Sequence, residues 1–527
     1  MHQIVMAKEF NTSVTCNPKR HYMVDTTAKM KVFEGLINNQ NYFTINRARQ
    51  FGKSTSLNWI QRNLSDRYLV IPISFETESD VNWQNDQTFF RFFCGKMVLF
   101  FSRVSDNATT FLDFWKAKQN EDIKDFDCFS AIISDFCKCC GKKVVLTIDE
   151  VDKASNNDVF VRFLGMLRNM YLDREKFGDD AYTFWSVVLA GVYDVKNLKL
   201  KIRPAENHQF NSPWNVAAKY NLDMAFNPQE ISTMLIDYEN DHHIGFSIKD
   251  ISEEIFKYTS GYPVLVSALC KIIDEDLGKD WSKNGVQNAV KYFLKDPDAT
   301  ILKTITKNIE SYPDLKKLLR AITLDNFKVN YYADNLPLDL GRTFSFIRPD
   351  ENSNAQIHNL IFQQVLLNYF IAEKALNTLR SNGSINIYIN ENGDINMPLL
   401  VERFFDTVKL HRNDEKFLEE QGRLLFLCYL KPVINGTGFY YIEPENDDDS
   451  RMDLVINYNR KEYIVELKIW RGSKYETDGR AQLSNYLNQR GLLEGYLVTF
   501  SFLKDKVLQE SPEWIDYNGK RIFEAVI

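Results

Sequence analysis

Two sets of residues in this chain are spaced for chemistry. In RMDLVINYNRKEYIVELKIW (451–470), Asp453 falls on one expected strand and Glu466 and Lys468 on the next. Side chains alternate along a strand, so Glu466 and Lys468 share one face while Val465, Leu467 and Ile469 take the other. Placing a carboxylate–lysine pair beside a third charge is costly, and stability alone seldom requires it. Asp453 and Glu466 are suited to hold Mg2+ or Mn2+, and Lys468 to position or activate a water for attack on a phosphodiester.

The second set begins in NYFTINRARQFGKSTSLNWIQRNL (41–64). A strand (Tyr42–Ile45), a turn and a helix starting near Gly52 put backbone N–H groups at a helix start. Lys53 follows to reach phosphate oxygens and Ser54 to ligate magnesium, with Gly52 and Thr55 completing the loop. The usual pattern has glycine five positions before Gly52, where this chain has Arg47. Downstream, KKVVLTIDEVDKA (142–154) reads as a buried parallel strand (Val144–Ile148) delivering Asp149 and Glu150 at its C-terminal end. Asp149 would hold the magnesium through water, and Glu150 would orient the attacking water. Together these residues predict ATP as cofactor.

The elements that must position this second set alternate. RYLVIPISFE (67–76) and TFWSVVLAGVYD (183–194) read as further strands, giving a parallel α/β core. Tyr193 or Asp194 then stands where a γ-phosphate sensor belongs, and Arg168 and Arg203 are arginine-finger candidates, surface roles being the simpler reading of both. An arginine supplied by a second copy is the alternative, so a homo-oligomer is a candidate partner. From about His208 the pattern becomes helical, with Asn227 capping and Pro228 in the first turn, and a break at Gly261-Tyr262-Pro263. The stretch LGRTFSFIRPD (340–350) is a candidate wing of a winged helix.

An Asn-, Gly- and Ser-rich segment (381–398) marks the last boundary. The expected domains are therefore 1–207, 208–380 and 399–527, with 381–398 as linker. The last reads as a helix (Glu415–Leu430), strands (Phe439–Glu443, Met452–Asn457, Tyr463–Trp470), a helix (Asp478–Gln489) and a strand (Gly495–Phe502). The turn Tyr458–Lys461 would let Asp453 and Glu466 converge. Glu420 shares a helix face with Leu424 and Leu427 and is a candidate further metal-site acid, with Glu419 as competitor. Gln482 and Tyr486, four apart, share a face of the later helix. Asp447, Asp448 and Asp449 read as a solvated turn.

Composition bounds the rest. The 527 residues are 44% hydrophobic, enough for roughly three domains of about 150 residues. No apolar run is long enough to span a bilayer and the opening MHQIVMAKEFNTSV lacks a signal core, so a cytoplasmic protein without membrane partners is expected. Eight cysteines include Cys137, Cys139 and Cys140, with no histidine near them at zinc spacing, and read as reduced thiols. A net charge of −7 means that nucleic acid would be bound through a local basic patch.

Taken together, YMVDTTAKMKVFEGLINNQNYFTINRARQFGKST, VVLTIDEVDKA, TSGYPVLVSALCK, EEQGRLLFLCYLKPVINGTG and RMDLVINYNRKEYIVELKIW resemble one bacterial family, the AAA-ATPase-like proteins with a C-terminal PD-(D/E)XK nuclease domain. In that family the first phosphate-loop glycine is commonly replaced. The resemblance implies a P-loop NTPase core, a helical lid like that of signalling-type ATPases and a C-terminal αβββαβ restriction-endonuclease-like domain. Gln482 and Tyr486 then resemble a Q-x-x-x-Y element that contacts nucleic acid. The function implied is a nucleotide-gated, magnesium-dependent nuclease, with defence against foreign DNA suggested by analogy. The alternative is a nucleotide-driven protein-binding switch whose nuclease fold is inactive.

Overall fold

The computed structural model describes residues 8–76, 79–104, 109–154, 157–192, 214–220, 222–296, 299–324, 327–378, 388–410, 426–427, 429–431, 433–434, 438–443, 451–470, 474–501 and 511–527. The chain divides into two compact units. Met1–Phe256 with Gly261–Lys271 forms the first, and Lys257–Ser260 with Ile272–Ile527 the second.

In the first unit, β1 (Phe43–Asn46), β2 (Leu69–Ser74), β3 (Val144–Asp149) and β4 (Ser186–Gly191) form a parallel sheet in the order β1-β4-β3-β2. β3 (VVLTID) and β4 (SVVLAG) are central and buried on both faces, which is why their sequences are mostly apolar rather than alternating. The helix Lys53–Leu64 follows β1 and buries Leu57, Ile60 and Leu64 at helical spacing, each burial contributing about 1.5–3 kcal/mol. The helix Asp86–Phe101 opens on a reciprocal capping box between Asn85 and Thr88 and buries Phe89, Phe90 and Phe93. These pack with Phe129 and Phe163 into an aromatic core beside the sheet. This is a parallel α/β core with helices packed beside the sheet.

Helices Pro228–His242, Ile248–Thr259 and Pro263–Glu275 follow. The expected cap is present: the Asn227 side chain accepts from the Glu230 N–H, Glu230 reciprocates, and Pro228 occupies the first turn. Farther on, in the second unit, Leu336–Thr343 is a helix, and β5 (Ile347–Pro349) pairs antiparallel with β6 (Ala355–Ile357). The candidate wing stretch thus contributes the end of a helix and the first strand of a short hairpin.

The second unit also carries a six-stranded sheet in the order β11-β12-β10-β9-β8-β7. Its strands are β7 (Phe439–Glu443), β8 (Arg451–Tyr458), β9 (Lys461–Trp470), β10 (Glu494–Ser501), β11 (Glu513–Tyr517) and β12 (Lys520–Val526). The hairpin between β8 and β9 closes on Asn459 and Arg460, both left-handed at φ 47° and 64°, as in a type I′ turn. The helix Lys474–Arg490 covers one face. A Cβ at Gly495 would meet Leu483 and Leu487, so glycine there allows helix and sheet to approach closely. Phe404, on the helix Met397–Leu410, packs edge-on to Phe500 of β10. β11 and β12 extend the sheet beyond the strands expected from sequence. The expected helix Glu415–Leu430 falls largely outside the described residues.

Among the described residues no helix is long and apolar enough to cross a membrane. The described cysteines are free, and burial pushes the Cys140 thiol up to about 12. Cys137 and Cys139 lie beside it at the end of the helix Phe126–Cys139.

Candidate functional site

The phosphate-type loop runs from the end of β1 to the helix Lys53–Leu64, and its shape explains the residue at its start. The left-handed positions are Gln50 (φ 60°) and Gly52 (φ 82°), not Arg47, so no glycine is needed at 47. Arg47 is instead an anchor. Its N–H donates to Gly191 O at the end of β4 (3.1 Å), and its guanidinium donates to Asn46 O (2.7 Å) and Leu222 O (2.5 Å).

Lys53 is 6% exposed and its ammonium donates to Arg47 O and Ala48 O, 3.1 Å each. Burial lowers its pKa, opposed by the charges of Glu150, Asp152 and Asp149. Ser54 Oγ donates to Asp149 Oδ2 at 2.5 Å, joining the start of the loop helix to the end of β3. Thr55 Oγ1 accepts from the Cys16 N–H (3.4 Å), so it faces the N-terminal segment.

Glu150 is left-handed (φ 56°) and its N–H donates to Asp149 Oδ1 (2.9 Å). A non-glycine residue in this region costs about 1–3 kcal/mol and such residues concentrate at working sites. Burial raises the Glu150 pKa, partly offset by Lys53. Asp152 is a site residue that the sequence reading missed. Its Oδ2 accepts from the Val192 N–H (2.6 Å), tying the turn after β3 to the end of β4. A Cβ at Gly191 would lie 2.8 Å from Asp152 Oδ1, so that junction takes glycine. The signal was present, as the acid three positions after Asp149.

Lys53, Ser54, Asp149 and Glu150 are thus brought together. Ser54 and Asp149 present hard oxygens side by side, a donor set that fits magnesium, next to a buried ammonium that fits phosphate. Arg168 sits half-buried on the helix Asp158–Phe177. Tyr193, Asp194 and Arg203 lie outside the described residues.

The second centre lies within the C-terminal sheet. Asp453 on β8 is the register partner of Glu466 on β9, and Arg451 that of Lys468. Glu443 on β7 pairs with Asp453, so three acidic residues occupy one register row across β7, β8 and β9. Glu443 was not singled out from sequence, although it closes the apolar strand FYYIE. Glu466 and Lys468 are each 1% exposed, and Val465 and Leu467 are fully buried, so both faces of β9 are covered. The expected alternation holds, and the charged side is the one beneath the helix Lys474–Arg490. There Gly479 passes close over Lys468: a Cβ at 479 would sit 3.2 Å from Nζ.

On the same helix Gln482 and Tyr486 are half-buried, and among the described residues Gln482 Oε1 accepts no hydrogen bond. Arg480 donates through Nε (3.1 Å) and NH2 (2.6 Å) to Oε2 of Glu524, itself 1% exposed. The side chain of Asp453 lies outside the described residues, as do Glu419, Glu420 and Asp447–Asp449. Among the described residues no three His, Cys, Asp or Glu side chains are grouped to hold a metal. The hard-oxygen pair in register, Asp453 with Glu466, has the donor chemistry for magnesium or manganese.

No family model matches the chain, and no curated protein does. Among solved structures it is similar to a Walker-type ATPase of Pyrococcus abyssi, at 12% identity over 68% of this chain and 99% of that one, with a TM-score of 0.47. The Aeropyrum pernix ORC2 protein, solved in ADPNP–ADP complexes, matches at 11% identity over 68% and 97%, with a TM-score of 0.33. The ORC1 protein of the same organism, solved with DNA, matches at 9% over 67% and 94%, with a TM-score of 0.30. Likenesses this distant leave the chemistry to be read from the chain's own residues.

Proposed function

We propose that this protein binds and hydrolyses ATP through the loop of Gly52, Lys53, Ser54 and Thr55 with Asp149 and Glu150, and that nucleotide state gates phosphodiester cleavage by a C-terminal centre of Asp453, Glu466 and Lys468. The observation that carries the nucleotide half is the 2.5 Å bond between Ser54 and Asp149 beside the buried Lys53 ammonium. The cleavage half is supported by the register pairing of Asp453 with Glu466 and by Lys468 two residues along the same strand.

In this reading Lys53 and the backbone N–H groups opening the loop helix bind and orient the phosphates. Ser54 and Asp149 are the residues that would hold magnesium, which would supply charge neutralisation at the phosphates. Glu150 accepts the proton of the attacking water; its raised pKa keeps it closer to that task than an ordinary carboxylate. In the C-terminal centre Lys468 orients the nucleophilic water, and Asp453 and Glu466 are the residues that would hold a magnesium or manganese ion, which would supply charge neutralisation at the phosphodiester. Gln482 and Tyr486 are assigned to nucleic-acid contact. A role against foreign DNA in a bacterial cytoplasm is the setting in which such a gated nuclease makes sense.

The test is cleavage of labelled single- and double-stranded DNA and RNA in Mg2+ or Mn2+, with and without ATP, by the wild type and by Lys53→Ala and Lys468→Ala. Cleavage lost with Lys468→Ala, and responding to ATP only when Lys53 is present, supports the reading. Nucleotide binding with no cleavage under any condition assigns the chain to a nucleotide-driven switch instead.

A further inference from the structure

The Gly261-Tyr262-Pro263 break does more than separate two helices. The Tyr262 hydroxyl donates to Arg49 O of the phosphate-type loop (3.0 Å), and its ring meets Phe51 edge-on, with centroids 4.7 Å apart at 74°. Tyr262 is 2% and Phe51 4% exposed. The Lys53 ammonium already holds Arg47 O and Ala48 O, so consecutive carbonyls from 47 to 49 each accept a side-chain donor. Two of these donations come from the phosphate-binding lysine itself, whose ammonium a phosphate oxygen would compete for. The third comes from a residue more than 200 positions away, which no phosphate displaces.

The turn that delivers Tyr262 is tightly constrained. Ser260 and Gly261 are both left-handed, at φ 44° and 71°. A Cβ at Gly261 would lie 1.8 Å from Phe226 O, while Gly261 O accepts from the Phe226 N–H (2.8 Å). Pro263 then starts the next helix, and Tyr262 O accepts its first backbone bond, from Val266 (3.0 Å). Between Ser260 and Gly261 the chain passes from the second compact unit into the first. A shift in the loop at Arg49 or Phe51 is therefore applied to a constrained turn.

We infer that Tyr262 is a positioning residue for the phosphate-type loop, and that it transmits the loop's shape to the turn Ser260–Pro263 that carries it. This rests on the nucleotide-binding reading above. Burial raises the phenol's pKa, so it stays a donor across the physiological range.

The test uses the full chain, a fluorescent ADP analogue with Mg2+, and amide hydrogen exchange over residues 256–266. Tyr262→Phe keeps the ring and removes one buried hydrogen bond. The wild type should bind the analogue, and the variant about three- to tenfold more weakly. The slowing of exchange that nucleotide causes in the wild type should be lost, with the nucleotide-free melting point nearly unchanged. Phe51→Leu, which removes the edge contact from the other side, should weaken binding in the same direction. A purely structural role would lower the melting point and leave affinity unchanged. Equal affinity and equal exchange response in wild type and Tyr262→Phe overturn the inference. A wild type that does not bind the analogue overturns the nucleotide-binding reading beneath it.

Discussion

The two charged centres are built on opposite plans. The proposed nucleotide centre stands at strand ends, where the loop after β1, the turn after β3 and the end of β4 converge. Its polar groups are tied to one another and to backbone atoms by short bonds, and Asp149 and Glu150 remain partly open. The C-terminal charges lie within a sheet instead, with Glu466 and Lys468 each 1% exposed beneath a helix. A loop site can exchange its internal bonds for those of a ligand. A mid-strand site must instead be pre-aligned, because strand register fixes which charges face each other.

The largest effect should appear at the pre-aligned centre. Lys468→Ala is expected to lower metal-dependent cleavage roughly 100- to 10,000-fold, the range for removing a positioned proton-handling group. Single-turnover cleavage of labelled DNA or RNA measures it. Unchanged cleavage would break the contrast, because a buried lysine under Gly479 would then be only a packing residue.

Next in size is a stability effect on the same face of the second unit. Arg480 holds the buried Glu524 carboxylate by two donations, so Arg480→Ala strips both from a buried charge and should cost about 3–5 kcal/mol. Urea denaturation reads this directly. Replacing both partners, Arg480→Met with Glu524→Leu, should recover most of the loss, since neither charge then needs solvation. A loss below about 1 kcal/mol would mean that this face is wetter than its exposure indicates.

The same contrast explains what the sequence made legible. Strand alternation in KEYIVELKIW and the continuous apolar run VVLTI identified β9 and β3, and with them the placement of Glu466, Lys468 and Asp149. Period-two patterning carries over long strands because a one-residue slip reverses every side chain. The loop centre was legible in its residue types but not in its shape. That Arg47 anchors rather than disrupts depends on left-handed backbone at Gln50 and Gly52, and on the partner carbonyl of Leu222, far along the chain. Tyr262 was visible only as part of a helix break, because a bond between residues 49 and 262 leaves no local periodicity. The final hairpin of β11 and β12 around Asn518 and Gly519 was passed over, although both turn residues are left-handed.

The proposed nucleotide centre should show a smaller catalytic effect, because its residues share the work. Glu150→Gln is expected to lower ATP hydrolysis by roughly 100-fold, the low end for a positioned base, while leaving binding of the fluorescent ADP analogue within about twofold. Phosphate release and fluorescence titration separate the two. A parallel loss of binding would mean that Glu150 mainly supports the Lys53 charge.

The smallest effect follows from the same variant and concerns pH. Burial holds the Glu150 pKa above its ordinary 4.5, so ionising this carboxylate costs the folded protein more than it costs the unfolded chain. As pH falls through the raised value toward 4.5, the folded state takes up the proton first and the cost disappears. Glutamine has the same shape and no charge, so Glu150→Gln should melt higher than the wild type at pH 7, with a gain that shrinks on acidification. Melting curves of both proteins without nucleotide between pH 4 and 8 measure the difference. A gain that stays constant with pH would assign it to the left-handed backbone at 150 rather than to the carboxylate's charge. A gain that shrinks assigns it to the charge, and the cost is then one that the site retains for its chemistry.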